Sequence, residues 1–292
     1  MGFLLYNRVT CVTLQQAQRM SGTETAATEP AEKPETLGSF LLFCLKLVVL
    51  VLLFRTLAFS TFNIPSESML PRLWNGDYLI AAKWPYGYSR YSLPWSMPLI
   101  SGRIFAGQPE RGDVVIFKAP PLQQEDYIKR VIGLPGDQVQ MIGGVVQLNG
   151  QPVPKQRVAD FAIPLSPNTE CAYDGKTVEL PGGGAECHYP RFRETLPGGR
   201  SYYVLDTAMT AQDTTAPVVV PEGMLFLMGD NRDHSADSRF PATPGGGIGL
   251  VPQENLVGEA YFMLWSTDGS AEWLKPWTWF TSARWNRSGE GI

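Results

Sequence analysis

The chain has 292 residues, a formal net charge of −4 at neutral pH and 44% hydrophobic residues, enough for a well-buried core in one large or two modest domains. Net acidity without a block of Lys and Arg excludes a nucleic-acid partner, because phosphate binding needs a concentrated positive field. With 29 glycines and 24 prolines the chain reads as turn-rich and mainly β.

Residues 1–36 open the chain. The stretch 21–36, SGTETAATEPAEKPET, is small, acidic and without a core-forming pattern, which predicts a disordered tail. Residues 1–19 resemble neither that tail nor a targeting segment, and Met20 is a natural start, so the mature chain is expected to begin at or near Met20. Residues 37–59 contain LGSFLLFCLKLVVLVLLF and stay apolar past Arg55, long enough for one transmembrane helix. Lys46 opposes insertion by about 2.5 to 3.5 kcal/mol, but roughly a dozen Leu, Val and Phe at about −0.3 to −0.6 kcal/mol each outweigh it. Two alternatives stay open: a buried core helix, disfavoured because Leu and Val cover every face, and a cleaved export signal ending at Ala58-Phe59-Ser60. Charge does not fix orientation, since Lys33 on one side is matched by Arg55 and Arg72 on the other.

Beyond the apolar run the chain reads as strands and turns. GDYLIAA at 76–82, GDVVIF at 112–117 and YIKRVI at 127–132 are β-rich. VQMIGGVVQLNGQPV at 139–153 alternates apolar runs with Gly-Gly and Asn-Gly, the favoured two-residue hairpin turns. Residues 60–140 and 223–292 are expected to form a β core, interrupted by an inserted β-rich domain or cap at 141–222. Strand character returns at MLFLM, 224–228, ahead of G-D-N-R-D-H-S-A-D-S-R.

The chemistry concentrates in two stretches. F-N-I-P-S-E-S-M at 62–69 puts Ser68 just after the apolar run, and Y-I-K-R-V-I-G-L-P-G-D at 127–137 carries Lys129. With only two histidines in the chain, a histidine-dependent serine hydrolase has few ways to be built. A free lysine is neutral in only about one molecule in a few thousand at pH 7, and only the neutral amine can take a proton from serine. Apolar neighbours in YIKRVI would depress its pKa by desolvation. Strand alternation sends Lys129 and Arg130 to opposite faces. The bland alternative is a solvated strand lysine.

These stretches, with R-G-D-V-V-I-F at 111–117 and G-D-N-R-D-H-S-A-D-S-R at 229–239, resemble the type I signal peptidases, membrane-bound serine proteases of family S26. The resemblance covers most of residues 37–270. It implies an antiparallel signal-peptidase-like β-sheet domain with an inserted β-rich cap behind one transmembrane helix. It also implies a Ser/Lys dyad that cleaves signal peptides at small-x-small sites, with Ser68 as nucleophile and Lys129 as general base. Ser66 is the implied side-chain oxyanion donor, beside the backbone N–H of Ser68. Ser235 would orient the Lys129 amine, Asp237 and Arg239 would form a supporting ion pair, and Asp230 is the expected partner of Arg130. Phe62, Ile64, Pro65, Met69, Leu73, Tyr127 and Ile128 would surround two shallow pockets, and the substrate would add as a strand beside residues 62–66. No metal and no cofactor are expected. The implied partners are preprotein signal peptides, the lipid bilayer and the secretion translocon. The implied location is the bacterial inner membrane, single-pass, with the catalytic domain on the periplasmic side.

Three departures matter. Glu67 stands where the family often has a small residue, and its carboxylate has to point away from the cleft. His234 stands where asparagine is common and keeps a Ser/His/Asp mechanism as a rival. Only one apolar span is visible, whereas some members have two. Ser-x-x-Lys, Gly-x-Ser-x-Gly and His-Glu-x-x-His are all absent from the sequence. Cys171 and Cys187 could close a loop if their side of the membrane is oxidising. WPYGYSRYSLPW at 84–95 and WLKPWTWFTSARW at 273–285 are read either as membrane-interface belts or as core packing.

Overall fold

The computed structural model describes residues 36–272 and 274–292. The expected tail and the proposed start at Met20 therefore lie outside the described residues. Leu37–Leu57 is one α-helix of 21 residues with no buried side chain. At 1.5 Å per residue it is about 32 Å long, matching the ~30 Å hydrocarbon core of a bilayer. It is the one described helix long and apolar enough to cross a membrane. The helix stops two residues short of the expected boundary, because Phe59 already belongs to the first strand.

Residues from Lys46 onward form one compact unit. Its main sheet has seven strands in the order Phe59–Asn63, Asp77–Ala82, Leu256–Ser266, Val114–Lys118, Asp126–Gly133, Met224–Met228 and Val251–Pro252. Every neighbouring pair is antiparallel. Val114–Lys118 lies at the centre, and its first four residues are all buried, which is why VVIF is a continuous apolar run rather than an alternating one. Phe59–Asn63 is the edge strand at the other extreme, with Phe62 partly buried and Thr61 and Asn63 exposed.

The chain leaves this sheet after Gly133 and returns at Met224. The excursion forms two small sheets. One joins Val218–Val219, Gln138–Ile142, Val145–Leu148 and Gln151–Pro152; the other joins Lys155–Pro164, Ala185–Thr195, Lys176–Glu179 and Ser201–Leu205. The hairpin turns fall where Gly-Gly and Asn-Gly predicted them, with Gly143, Gly144, Asn149 and Gly150 all at positive φ, as type I′ turns require. Cys171 and Cys187 are joined by a disulfide within this excursion.

Of the aromatic segment at 84–95, Tyr86 and Tyr91 are core residues, whereas Trp95 is 86% exposed. In the C-terminal segment Trp277, Phe280 and Trp285 are exposed. The core-packing reading therefore holds for Tyr86 and Tyr91, while Trp95, Trp277, Phe280 and Trp285 face outward.

Candidate active site

Three segments converge on Ser68. The first is the irregular chain that follows the edge strand. Ile64 N–H donates to the Asp77 carbonyl (2.8 Å) and Gly76 N–H to the Ile64 carbonyl (3.0 Å), and Met69 and Leu73 anchor the turn in the core with Leu79, Ile116 and Val257. The second is the strand Asp126–Gly133, whose residues Asp126 to Arg130 pair with Val114–Lys118. The third is the loop 229–239. Its Asn231 N–H donates to the Ser68 carbonyl (3.1 Å) and its Asn231 Nδ2 to the Glu67 carbonyl (3.2 Å). Loop and serine segment meet at Gly229, where an added Cβ would lie 2.2 Å from Ser235 Oγ and 2.5 Å from the Ser68 carbonyl oxygen. Only glycine permits that approach.

Lys129 Nζ donates to Ser68 Oγ at 2.8 Å and to the Ile128 carbonyl at 3.0 Å. Ser68 is 7% and Lys129 4% exposed. Burial lowers the Lys129 pKa to about 8, against the opposing attraction of the Asp237 and Asp230 carboxylates. Both hydrogen-bond partners of the amine are uncharged, so no carboxylate among the described residues at hydrogen-bond distance favours its charged form. A neutral amine here donates to the Ile128 carbonyl and turns its lone pair to the Ser68 hydroxyl, the geometry needed to accept a proton from serine.

The adjoining charges are paired off. Arg130 makes two hydrogen bonds to Asp230, at 2.7 and 2.6 Å, and donates a third to the Gly112 carbonyl at 2.7 Å. Arg239 Nε bonds Asp237 Oδ1 at 2.9 Å, and the Gly229 N–H donates to Asp237 Oδ2 at 3.0 Å. The Asp237 carboxyl is held below its usual range despite burial, which acts the other way, because Arg239 and the Gly229 amide favour the charged form. Glu67 lies outside the dyad's cleft, in a neighbouring hollow with Asn75, Asn168 and Glu170. Its carboxyl is raised above the usual range, first by burial.

The cleft itself has a volume of about 520 Å³, and Phe62, Ile64, Pro65, Ser66, Tyr127 and Ile128 line it beside the dyad. Met69 and Leu73, expected at the pockets, are fully buried beneath the cleft instead. Both side chains are wholly apolar and pack with Leu79, Ile116 and Val257 in the core. Ser66 Oγ is 3.4 Å from Ser68 Oγ, longer than a good hydroxyl hydrogen bond, and Ser66 itself is exposed. Ser235 is buried, and its Oγ makes no hydrogen bond to Lys129 or to any other described residue; it sits against Gly229 and close to the Asp237 carboxylate. The expected direct contact to the amine is therefore absent in this state.

His234 lines the cleft, but its Nε2 lies 3.0 Å from both oxygens of Asp174 and contacts neither Ser68 nor Lys129. The only other histidine, His188, pairs with Glu186. The rival Ser/His/Asp arrangement is not assembled. Sequence reasoning missed Asn63, Ile116, Glu125, Asp126 and Ala236 in the cleft wall. Glu125 and Asp126 could have been found, since they lead directly into the strand that carries Lys129.

The family model described as signal peptidase, peptidase S26, matches residues 37–265, a span containing all four sequence boxes. Signal peptidase I of Rickettsia typhi (strain ATCC VR-144 / Wilmington) is 35% identical over 253 residues, covering 84% of each chain. Signal peptidase I of Rickettsia canadensis (strain McKiel) is 37% identical over 229 residues, covering 75% of this chain and 77% of that one. A crystal structure of a signal peptidase I from Enterococcus faecalis V583 aligns with 52% of this chain and 96% of its own at 25% identity, with a TM-score of 0.26. Likeness of this length and identity, running through the serine and lysine segments alike, places the chain in the signal peptidase family, peptidase S26, as a membrane-anchored serine endopeptidase.

Proposed function

We propose that this signal-peptide-cleaving serine peptidase works through Ser68 and Lys129. The observation that carries the assignment is the 2.8 Å contact between Lys129 Nζ and Ser68 Oγ in a site where burial brings the lysine pKa to about 8. Ser68 Oγ bonds to the carbonyl carbon of the scissile peptide while its proton passes to Lys129. The oxygen that becomes negative is stabilised by the Ser66 hydroxyl and the Ser68 backbone N–H. When the carbon–nitrogen bond breaks, Lys129 returns the proton to the leaving amine. Water then attacks the acyl-enzyme with Lys129 again taking the proton, which ends on Ser68 Oγ as the signal peptide leaves. Asp237 and Arg239 hold the loop behind the amine.

The edge strand Phe59–Asn63 pairs with Asp77–Ala82 on one side, and its other side carries no strand among the described residues. A preprotein added there would gain main-chain hydrogen bonds without regard to sequence. In an extended chain the residues one and three before the cleaved bond project to the same face. That face meets the apolar wall of Phe62, Ile64, Pro65, Tyr127 and Ile128, which suits small-x-small.

The Cys171–Cys187 disulfide supports an oxidising compartment for the catalytic domain. We accordingly read the protein as single-pass in the bacterial inner membrane with this domain on the periplasmic side, its partners being preprotein signal peptides, the bilayer and the translocon that delivers the preproteins. Exposed Trp95, Trp277 and Phe280 fit contact with the headgroup region. The test is cleavage of an Ala-x-Ala preprotein by wild type and by Ser68→Ala, Lys129→Ala and His234→Ala. Loss in the first two and retention in the third is expected; full activity in Lys129→Ala refutes the dyad.

A further inference from the structure

Away from the cleft, three aspartates from separate parts of the chain meet. Asp206 follows the strand Ser201–Leu205, Asp213 ends the short turn Ala211–Asp213, and Asp233 belongs to the loop 229–239. They are brought together because that loop runs beside the end of the strand: Leu205 N–H donates to the Asp230 carbonyl (2.9 Å) and Arg232 N–H to the Leu205 carbonyl (2.8 Å). Each aspartate contributes an oxygen, and the three oxygens lie within 4.8 Å of one another.

Lys155 is the cation at hand. It pairs with Asp206 and donates to the Gly144 carbonyl at 2.8 Å. One ammonium offsets one of three carboxylates, so the cluster keeps two negative charges. The remaining oxygens show what is missing. Asp213 is 2% exposed; its Oδ2 accepts from the Thr210 N–H at 2.7 Å, while its Oδ1 is buried without a hydrogen bond. Asp233 repeats the pattern: Oδ2 accepts from the Thr207 and Ala208 N–H groups at 2.7 and 3.1 Å, and Oδ1 is buried with no partner. Backbone amides thus fix both carboxylates and leave one oxygen of each empty-handed. A buried carboxylate oxygen without a donor is costly, and two of them in one cluster call for a cation.

We propose that Asp206, Asp213 and Asp233 form a calcium site that ties the loop 229–239 to the inserted β-rich segment. All donors are oxygens, which selects a hard cation. Three oxygens no more than 4.8 Å apart can all lie within about 2.8 Å of one point, within reach of the ~2.3–2.6 Å of a calcium–oxygen bond, and calcium accepts an irregular shell where magnesium demands a near-ideal octahedron and dehydrates reluctantly. Waters would complete the shell. Asp233 immediately precedes His234 and Ser235, so the ion would steady the loop that backs Lys129.

The test uses the full-length protein in detergent, stripped with EDTA and returned to metal-free buffer. Titration calorimetry with CaCl2 should show one site with a dissociation constant of roughly 10⁻⁴ to 10⁻³ M, and CaCl2 should raise the melting temperature where MgCl2 at the same concentration does less. Asp213→Asn and Asp233→Asn should each weaken calcium binding at least about tenfold, since each removes a charged ligand. In EDTA the same variants should melt no lower than wild type, because removing one carboxylate relieves repulsion. No calcium heat and no melting shift in the wild type overturns the site, as does an equal shift in the variants. Variants that melt lower in EDTA and leave the calcium response intact would make the cluster a Lys155-centred ion-pair network instead. Should either variant fail to fold, Asp206→Asn and the wild-type titration still decide, and magnesium binding as tight as calcium overturns the choice of ion.

Discussion

Lys129 has to be both buried and a base, and pH separates the two demands. In the folded protein desolvation takes its pKa from the ordinary 10.5 to about 8, so roughly one amine in ten is neutral at pH 7, against about one in three thousand for a free lysine. The kcat/KM for a small-x-small peptide should rise about tenfold per pH unit below pH 8 and level off above it. Stability carries the linked signature. Between about pH 8 and 10.5 the folded state binds fewer protons than the unfolded state, so stability rises with pH across that window and the cost of the buried charge is full below it. At ~1.4 kcal/mol per pH unit that cost is about 3 kcal/mol at pH 7. Lys129→Met keeps most of the stem and removes the charge. It should be inactive yet melt higher than wild type at pH 7, with the gap closing as pH approaches 10.5. Peptide cleavage and paired thermal melts from about pH 6 to 10.5 check both halves. A rate inflection near 6.5 that disappears in His234→Asn would move the base to the imidazole, and a melting gap independent of pH would remove desolvation as the cause.

Ser66→Ala should lower kcat by up to about 10²–10³-fold with KM nearly unchanged, the mark of a donor used in the transition state; an effect confined to KM in peptide kinetics would take Ser66 out of the oxyanion's reach. Arg239→Gln leaves the Asp237 carboxylate without its ion-pair partner, so the charged lysine gains an unopposed attraction and the rate inflection should move up by about one pH unit or more. Activity lost at pH 7 should then return toward pH 9 to 10, and a uniform loss across the profile would show that Arg239 acts only through the fold.

Much of the site could be read from the chain because its information is local. Alternation along YIKR was enough to separate Lys129 from Arg130, and the Gly-Gly and Asn-Gly turns needed only their own φ values to be placed. The apolar run before Phe59 declared a helix by length. What could not be read depends on encounters between distant loops. Nothing near His234 announces Asp174, 60 residues earlier, as its partner, and no periodicity links Asp206, Asp213 and Asp233. Met69 and Leu73 were misplaced for a related reason: proximity to the nucleophile in sequence says which turn a residue shares, but burial decides whether it faces the cleft or the core. Ser235 shows a third limit, since its place in the box does not say which atom its hydroxyl reaches, and its Oγ makes no hydrogen bond to a described residue.

The arrangement of charge around Lys129 has a single logic. Carboxylates close to a lysine raise its pKa and would return it to the ordinary range; two of them, Asp237 and Asp230, do act on Lys129 in that direction. Each is bound to an arginine, Arg239 and Arg130, so the lysine meets two near-neutral pairs rather than two anions. Glu67, the one acidic residue inside the serine box, opens onto the neighbouring hollow instead. Burial is therefore left as the dominant influence on the amine, and burial favours the neutral form. Arg130, adjacent to the base in sequence, serves that end by neutralising Asp230 from the opposite face of the strand. A lysine base in this fold depends on its neighbours being charged in pairs, so substitutions that unbalance a pair should alter the pH profile even where they never touch the substrate.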